Sequence, residues 1–365
     1  MKKIIKILIL ILVGAIVFFG YSLLRLSLIR GSDLRKQKQR LEKLEAAYEA
    51  ETIELIDESE FVNFSLADPN LRLNEIQMLA THNSYKKRGP ALGRFFVALG
   101  DTPQEAKAMR YAYHDVTTQL EKGIRSFEFD VRYRKGIFEV THVPLVDAST
   151  TAVDFRLLLE EMKLFSAYQI HLPVIVLIEI KDDWMMLDPA LEGYSPEVFQ
   201  QFDTLIQEVL GDALFAPSDF VGPSVTIKDK ITTSGWPLVK DLMNQFIFVI
   251  HPGKFNEMYY DNDPSMQSQS LFIGSYDQET YPDYASFFVH NDVNINKIQT
   301  LVQAGFIVRT RMDSDLFFNQ ERANDAILSG AQILSTDFSY GRSDLKINQV
   351  LFLDENKTVI RRSGT

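Results

Sequence analysis

Hydrophobic and polar positions divide the chain into three stretches. The first is uniformly apolar: the 18 residues from Ile7 to Leu24 carry no charge, close to the ~20 residues that cross a bilayer as a helix. Lys2, Lys3 and Lys6 precede the run, which closes on Tyr21-Ser22-Leu23-Leu24-Arg25 without a small-x-small cleavage site. The pattern predicts an uncleaved transmembrane anchor over residues 1–30. The second stretch, 31–65, is polar. From Ser32 to Asp57 it is rich in Leu, Glu, Lys, Gln and Ala and contains neither Gly nor Pro. That predicts a helical stalk or linker, capped at its start by Ser32 or Asp33. Leu34, Leu41, Leu44 and Tyr48 fall near heptad spacing, over too few repeats for a coiled coil. Such a stalk either lifts the following body off the membrane or packs against it.

In the third stretch, 66–355, short β-rich runs alternate with longer helical patterns. The predicted strands are Ile76–Ala80, Ser126–Val131, Ile137–Val140, Val174–Ile180, Phe246–Ile250, Ser286–Val289, Phe306–Val308 and Gln332–Leu334. Between several of them lie helical patterns such as Phe155–Ser166, Glu197–Leu210, Ile295–Ala304 and Arg322–Gly330. Repeated alternation implies a parallel sheet. Pro173-Val-Ile-Val-Leu-Ile is apolar on both faces, as a strand covered on both sides must be. Eight such strands predict an α/β fold closed into a (β/α)8 TIM-like barrel. The competing open, doubly wound sheet finds no Gly-x-Gly-x-x-Gly after an early strand.

Composition narrows the function. A chain of 365 residues with 46% apolar residues, 26 Phe and 14 Tyr can bury a sizeable core. A net charge of −11 argues against a nucleic-acid partner, although a bound metal still lets an acidic protein hold phosphate. The absence of Cys excludes disulfides, thiolate metal sites and a cysteine nucleophile.

Four predicted strand ends carry polar residues: Thr81-His82-Asn83-Ser84-Tyr85, Phe127-Glu128-Phe129-Asp130, Val140-Thr141-His142 and Ile178-Glu179-Ile180-Lys181. In a barrel of this kind the active site lies at the C-terminal ends of the strands. Alternation along a strand sets Glu128 and Asp130 on one face and Phe127 and Phe129 on the other. Two adjacent carboxylates repel unless a cation lies between them. With Glu179 and the amide oxygen of Asn83 they form an all-oxygen set, which suits Ca2+ or Mg2+ better than zinc and, with room for water and substrate oxygens, Ca2+ best. His82 and His142 are placed for proton transfer or for donation to phosphate oxygens, and Lys181 can face the same site. His251 also follows a strand, with less context, while His114, His171 and His290 have none.

At these residues the sequence resembles the phosphatidylinositol-specific phospholipase C superfamily, above all its bacterial calcium-dependent branch. The matching stretches are Leu79–Tyr85, Gly123–Val131, Val140–His142, Pro173–Lys181, Gly235–Pro237, Arg309–Asp313 and Ser329–Asp337. The resemblance implies an irregular TIM barrel and a phosphoric diester hydrolase that cleaves a phosphoinositide-type membrane lipid to diacylglycerol and inositol phosphate through a cyclic phosphodiester. It implies His82 and His142 as the catalytic pair, and Asn83, Glu128, Asp130 and Glu179 as Ca2+ ligands. On chemical grounds a carboxylate beside the metal can take the proton of the attacking hydroxyl, and Glu128 is the first choice. Lys181, and less directly Arg311, match positions that meet the substrate phosphate. Where the family usually reads His-Gly, His142 is followed by Val143, which narrows the pocket beside the second histidine. The alternatives are a glycerophosphodiester phosphodiesterase, whose first strand usually ends His-Arg-Gly, and an inactive barrel that binds calcium or inositol lipid. Positive residues flank the anchor on both sides; by analogy with secreted relatives the body is expected outside the cytoplasm, on a single-pass anchor.

Overall fold

The computed structural model describes residues 2–222, 226–277, 280–314, 316–346 and 349–362. Met1 of the anchor and residues 223–225, 278–279, 315 and 347–348 of the barrel stretch lie outside them.

Among the described residues eight parallel strands close on themselves: β1 (Ile76–Thr81), β2 (Ser126–Arg134), β4 (Val174–Ile180), β6 (Phe246–Ile250), β7 (Leu271–Ser275), β8 (Ala285–Val289), β9 (Ile307–Arg311) and β10 (Ile333–Thr336). Three short strands run antiparallel to them: β3 (Ile137–Val140) and β5 (Leu191–Glu192) on β2, and β11 (Val359–Arg361) on β1. The expected (β/α)8 barrel is therefore present. Its closure is uneven: β1 pairs β10 over Met78–Thr81 but meets β2 at a single residue pair, Ala80↔Ser126. Beyond that point Ser84 continues the seam. Its amide donates to the Glu128 carbonyl (3.0 Å), and its hydroxyl accepts from the Glu128 amide (2.8 Å).

Two strand assignments need correction. Ile137–Val140 is not a barrel stave. It is the return arm of a hairpin: β2 outruns its partner β4, which pairs with it as far as Val131, and β3 folds back on the overhang from Arg134 to Val131. The missed stave is β7. Its apolar core is just Leu271-Phe272-Ile273, ended by Gly274, so no strand period develops. The glycine is required there, since a Cβ would lie 2.6 Å from the Ile250 carbonyl oxygen.

The N-terminal segment is one helix, α1 (Lys2–Glu49). No helix starts at Ser32 or Asp33, and the helix ends eight residues before Asp57. Its first part is long and apolar enough to cross a membrane, with a mean hydropathy of 2.8 over 18 residues that are almost wholly exposed. Its second part packs on the barrel. Asp33 is buried and paired with Lys87. Gln37 bonds both backbone groups of Asp154 (2.9 Å each), as a neighbouring strand would. Arg40 reaches Glu161 at 2.6 Å, and Tyr48 stacks on Tyr168 with centroids 4.7 Å apart. The continuous helix thus carries the direction of the apolar segment rigidly into the barrel wall.

One buried group makes the fold sensitive to acid. His171 lies between the rings of Phe165 and Phe246, with centroids 5.5 and 5.3 Å away. Burial, helped by the charge of Arg125 and opposed by the Leu172 carbonyl, pulls its pKa down to about 3. An unfolded histidine titrates near ~6.5. Below that value the unfolded chain gains a proton that the folded chain refuses, so stability is lost as pH falls. The melting temperature should drop between pH 7 and pH 5, and His171→Leu should flatten the profile. An unaltered slope in thermal melts of the variant would refute this.

Candidate active site

His82 and Asn83 turn away from the end of β1. The turn is held by the Thr81 hydroxyl on Ser84 (2.6 Å), and Asn83 adopts φ +50°, a left-handed conformation that asparagine tolerates. Because β10 neighbours β1, Asp337 at its end comes beside His82: Nδ1 lies 3.0 Å from the carboxylate. Arg311, from β9, donates to the other oxygen at 2.8 Å. Burial raises the proton affinity of Asp337, but His82, Arg311 and Arg342 outweigh it and hold its pKa at about 2. An ionised Asp337 makes the His82 Nδ1–H a donor and turns Nε2 to the barrel mouth, 4.0 Å from Glu128 and 3.4 Å from the Asn83 amide.

Glu128 and Asp130 share the inner face of β2, and Phe127 and Phe129 are buried on the other. Glu128 accepts from Arg309 of β9 at 2.6 Å. Burial alone would raise its pKa; Arg309, then His82, His251 and Arg311, bring it down to about 2. Asp130 pairs in register with Glu179 of β4. Both of its oxygens are buried without a hydrogen-bond partner among the described residues. The Lys181 ammonium stands 3.7 Å from one of them and donates to Glu179 at 2.5 Å. Burial pushes the Asp130 pKa up; Lys181 opposes it, while Glu179 and Glu128 add to it.

His142 arrives by a different route from the other groups. The hairpin overhang returns it to the rim, where its carbonyl accepts from Arg132 at 2.7 Å. Its Nδ1 lies 2.9 Å from Asp147, whose carboxylate also binds the buried Lys86. Burial raises the Asp147 pKa, but Lys86 and His142 prevail and leave it lowered. Both expected histidines therefore share an arrangement, a buried anion on Nδ1 and a partly exposed ring at the rim, and at His82 the Asn83 amide also approaches Nε2.

The donor set fits a hard divalent cation by its chemistry. Asp130 offers two buried oxygens that accept no hydrogen bond among the described residues, one of them 3.7 Å from the Lys181 ammonium, and Asn83, Glu128 and Glu179 add oxygen donors around the same rim. The fit is incomplete, since Arg309 and Lys181 already bind Glu128 and Glu179, and no three His, Cys, Asp or Glu gather in metal-holding geometry among the described residues. A cation would share these carboxylates with two protein cations. The two residues expected to meet the substrate phosphate are both engaged by carboxylates, Lys181 by Glu179 and Arg311 by Asp337. His251 joins the rim: it is half-buried, and its charge acts on Glu128. Asp337, Asp147, Lys86 and Arg309 went unassigned. Asp337 and Arg309 lie inside recognisable stretches, so their positions but not their roles were visible. Asp147 and Lys86 carry no signal, being loop residues joined only by the fold.

Fold and rim together describe a (β/α)8 hydrolase of phosphoric diesters. The family model for phosphoinositide phospholipase C, Ca2+-dependent, matches residues 71–136 and 131–362. The chain belongs to this family, whose members are phosphodiesterases of the phospholipase C type. A calcium-dependent phosphoinositol-specific phospholipase C from a Gram-negative Pseudomonas species superposes with a TM-score of 0.58 at 15% identity, over 83% of this chain and 99% of that one. The Ca2+-dependent phosphatidylinositol-specific enzyme of Streptomyces antibioticus gives 0.56 at 15% identity, over 73% and 95%. No curated protein sequence matches the chain.

Proposed function

We propose that this protein is a single-pass, membrane-anchored, calcium-dependent phospholipase C that cleaves phosphoinositide-type lipids to diacylglycerol and inositol phosphate. The observation that carries the reading is the pair of carboxylate-held histidines at the rim that also carries Glu128 and Asp130. His82 and His142, with Nδ1 held, use Nε2 toward the phosphoryl group and the leaving glycerol oxygen. Lys181 and Arg311 supply positive charge near the phosphate. Asn83, Glu128, Asp130 and Glu179 would hold Ca2+, which when bound neutralises phosphoryl charge and acidifies the attacking hydroxyl. Glu128 accepts that proton. Arg309, donating to Glu128 at 2.6 Å, keeps that carboxylate ionised and so able to accept a proton.

The test uses washed membranes. Alkaline carbonate should leave the protein in the membrane fraction, because an apolar helix of this length does not desorb. Those membranes should hydrolyse phosphatidylinositol, lose activity in excess chelator, and regain it with Ca2+ more fully than with Mg2+. Full activity in chelator would remove the metal assignment. Cleavage of glycerophosphodiesters in preference to inositol lipids would replace the phospholipase reading. We place the body outside the cytoplasm; protease added to intact cells should then destroy the activity, and a protected activity would reverse that orientation.

A further inference from the structure

A cavity of about 450 Å³ opens beside His142 and Lys181. Its size lies within the usual range of small-molecule sites, ~300–1,000 Å³. What sets it apart is its walls. One wall is the apolar part of α1, with Phe19, Leu23 and Leu26. The facing wall is the short apolar helix α2 (Ala91–Gly100), with Phe96, Val97 and Gly100. Val143, which replaces the expected glycine after His142, also lines it.

The two walls are joined at their outer edge by an aromatic cluster. Phe19 stacks on Phe96 with centroids 5.6 Å apart, and Phe18 meets Phe95 at 6.3 Å. Leu99 (69% exposed) and the outer side of Phe95 leave α2 with an exposed apolar face, of a kind that seeks the acyl boundary of a bilayer. The cavity is therefore amphiphilic from end to end. His142 and Lys181 stand on its lining with the carboxylates Asp101, Glu105 and Asp183, aliphatic and aromatic side chains make up most of the rest, and the apolar helix α1 forms one side.

On the basis of the phospholipase reading above, we propose that this cavity receives an acyl chain of the lipid substrate, so that the anchor helix is itself part of the substrate site. The occupant follows from continuity. A lipid whose phosphate lies at His142 and Lys181 carries its chains a few bonds away, and the apolar passage from that point leads along α1 into the bilayer. The lipid enters sideways between α1 and α2 without leaving the membrane. The rigid run of α1 into the barrel wall, fixed by Gln37 and Arg40, holds this passage in register with the catalytic rim.

Filling the cavity tests the proposal on the full-length protein. A Cβ at Gly100 meets no atom within 4 Å, and phenylalanine is a better helix former than glycine. The double variant Val97→Phe, Gly100→Phe should therefore fold while occupying the passage. Turnover is measured on long-chain phosphatidylinositol in vesicles and on glycerophosphoinositol, which has no acyl chains. The ratio of the first to the second should fall at least tenfold. A ratio that stays constant, whether both rates hold or both fall, overturns the proposal. If the wild-type protein cleaves neither substrate, the phospholipase reading fails and binding decides the cavity. Trp184 lines it and Trp236 is buried in the core. Lipids brominated on the acyl chain should then quench Trp184 in the wild type and less in the filled variant, and equal quenching overturns the proposal.

Discussion

Alanine at His82 or at His142 is expected to lower turnover on phosphatidylinositol by roughly 10²-fold or more, the usual scale for a general acid or base, with the melting temperature nearly unchanged. Neither ring is part of the core: the side chains are 24% and 32% exposed. Each loss would leave a carboxylate with other cationic partners, Arg311 at Asp337 and Lys86 at Asp147. The partner carboxylates give a sharper comparison. Asp337→Asn preserves shape but removes the anion that makes Nδ1 a donor, so activity should fall while Arg311 stays accommodated. Asp147→Asn should cost stability as well, because the buried Lys86 loses its counter-charge. Circular dichroism with turnover separates the two. If His82→Ala or His142→Ala unfolds the protein, or leaves turnover within a few-fold of wild type, the histidine is structural.

The barrel was legible because its staves are buried on both faces, which forces continuous apolar runs such as Val174–Ile178 and leaves polar residues to cluster at their ends. Legibility failed where the local pattern is set by something other than burial. At β7 a close backbone approach demands Gly274 and cuts the apolar run short. At β3 the short β-rich run Ile137–Val140 reflects hairpin pairing with β2, which so short a run does not distinguish from a stave. His142 still reaches the rim, since the overhang ends at the height of Asp130: the Thr141 amide donates to the Asp130 carbonyl at 3.1 Å. The uninterrupted α1 was hidden by its change from apolar to polar, which reads as a boundary although the backbone has none. Carboxylate–histidine pairs such as Asp147 with His142 depend on loop geometry, which no period encodes.

Blocking the hydroxyl next to the phosphodiester of the inositol headgroup should abolish cleavage altogether while leaving binding largely intact. The argument starts from the nucleophile. The chain has no cysteine, and no serine in it lies in a Gly-x-Ser-x-Gly elbow. The rim instead offers histidines, carboxylates and cations, groups that move protons and hold charge. An inositol lipid brings its own nucleophile, the adjacent hydroxyl, already held near phosphorus, and such proximity can be worth about 7 kcal/mol or more of barrier. In the proposed reaction, attack by that oxygen would form the new O–P bond as the bond to the glycerol oxygen breaks. The proton would pass from the hydroxyl to Glu128, and one histidine would protonate the departing diacylglycerol while the other donates to a phosphoryl oxygen. The product would be a cyclic phosphodiester, which a second passage opens with water to inositol phosphate. Phosphatidylcholine, which lacks the hydroxyl, should not be cleaved. Phosphorus NMR of a single turnover should detect the cyclic product ahead of the open one. Should a hydroxyl-methylated analogue be cleaved at the normal rate, water is the nucleophile, and the rim's histidines would serve a direct hydrolysis in which the substrate's own oxygen takes no part.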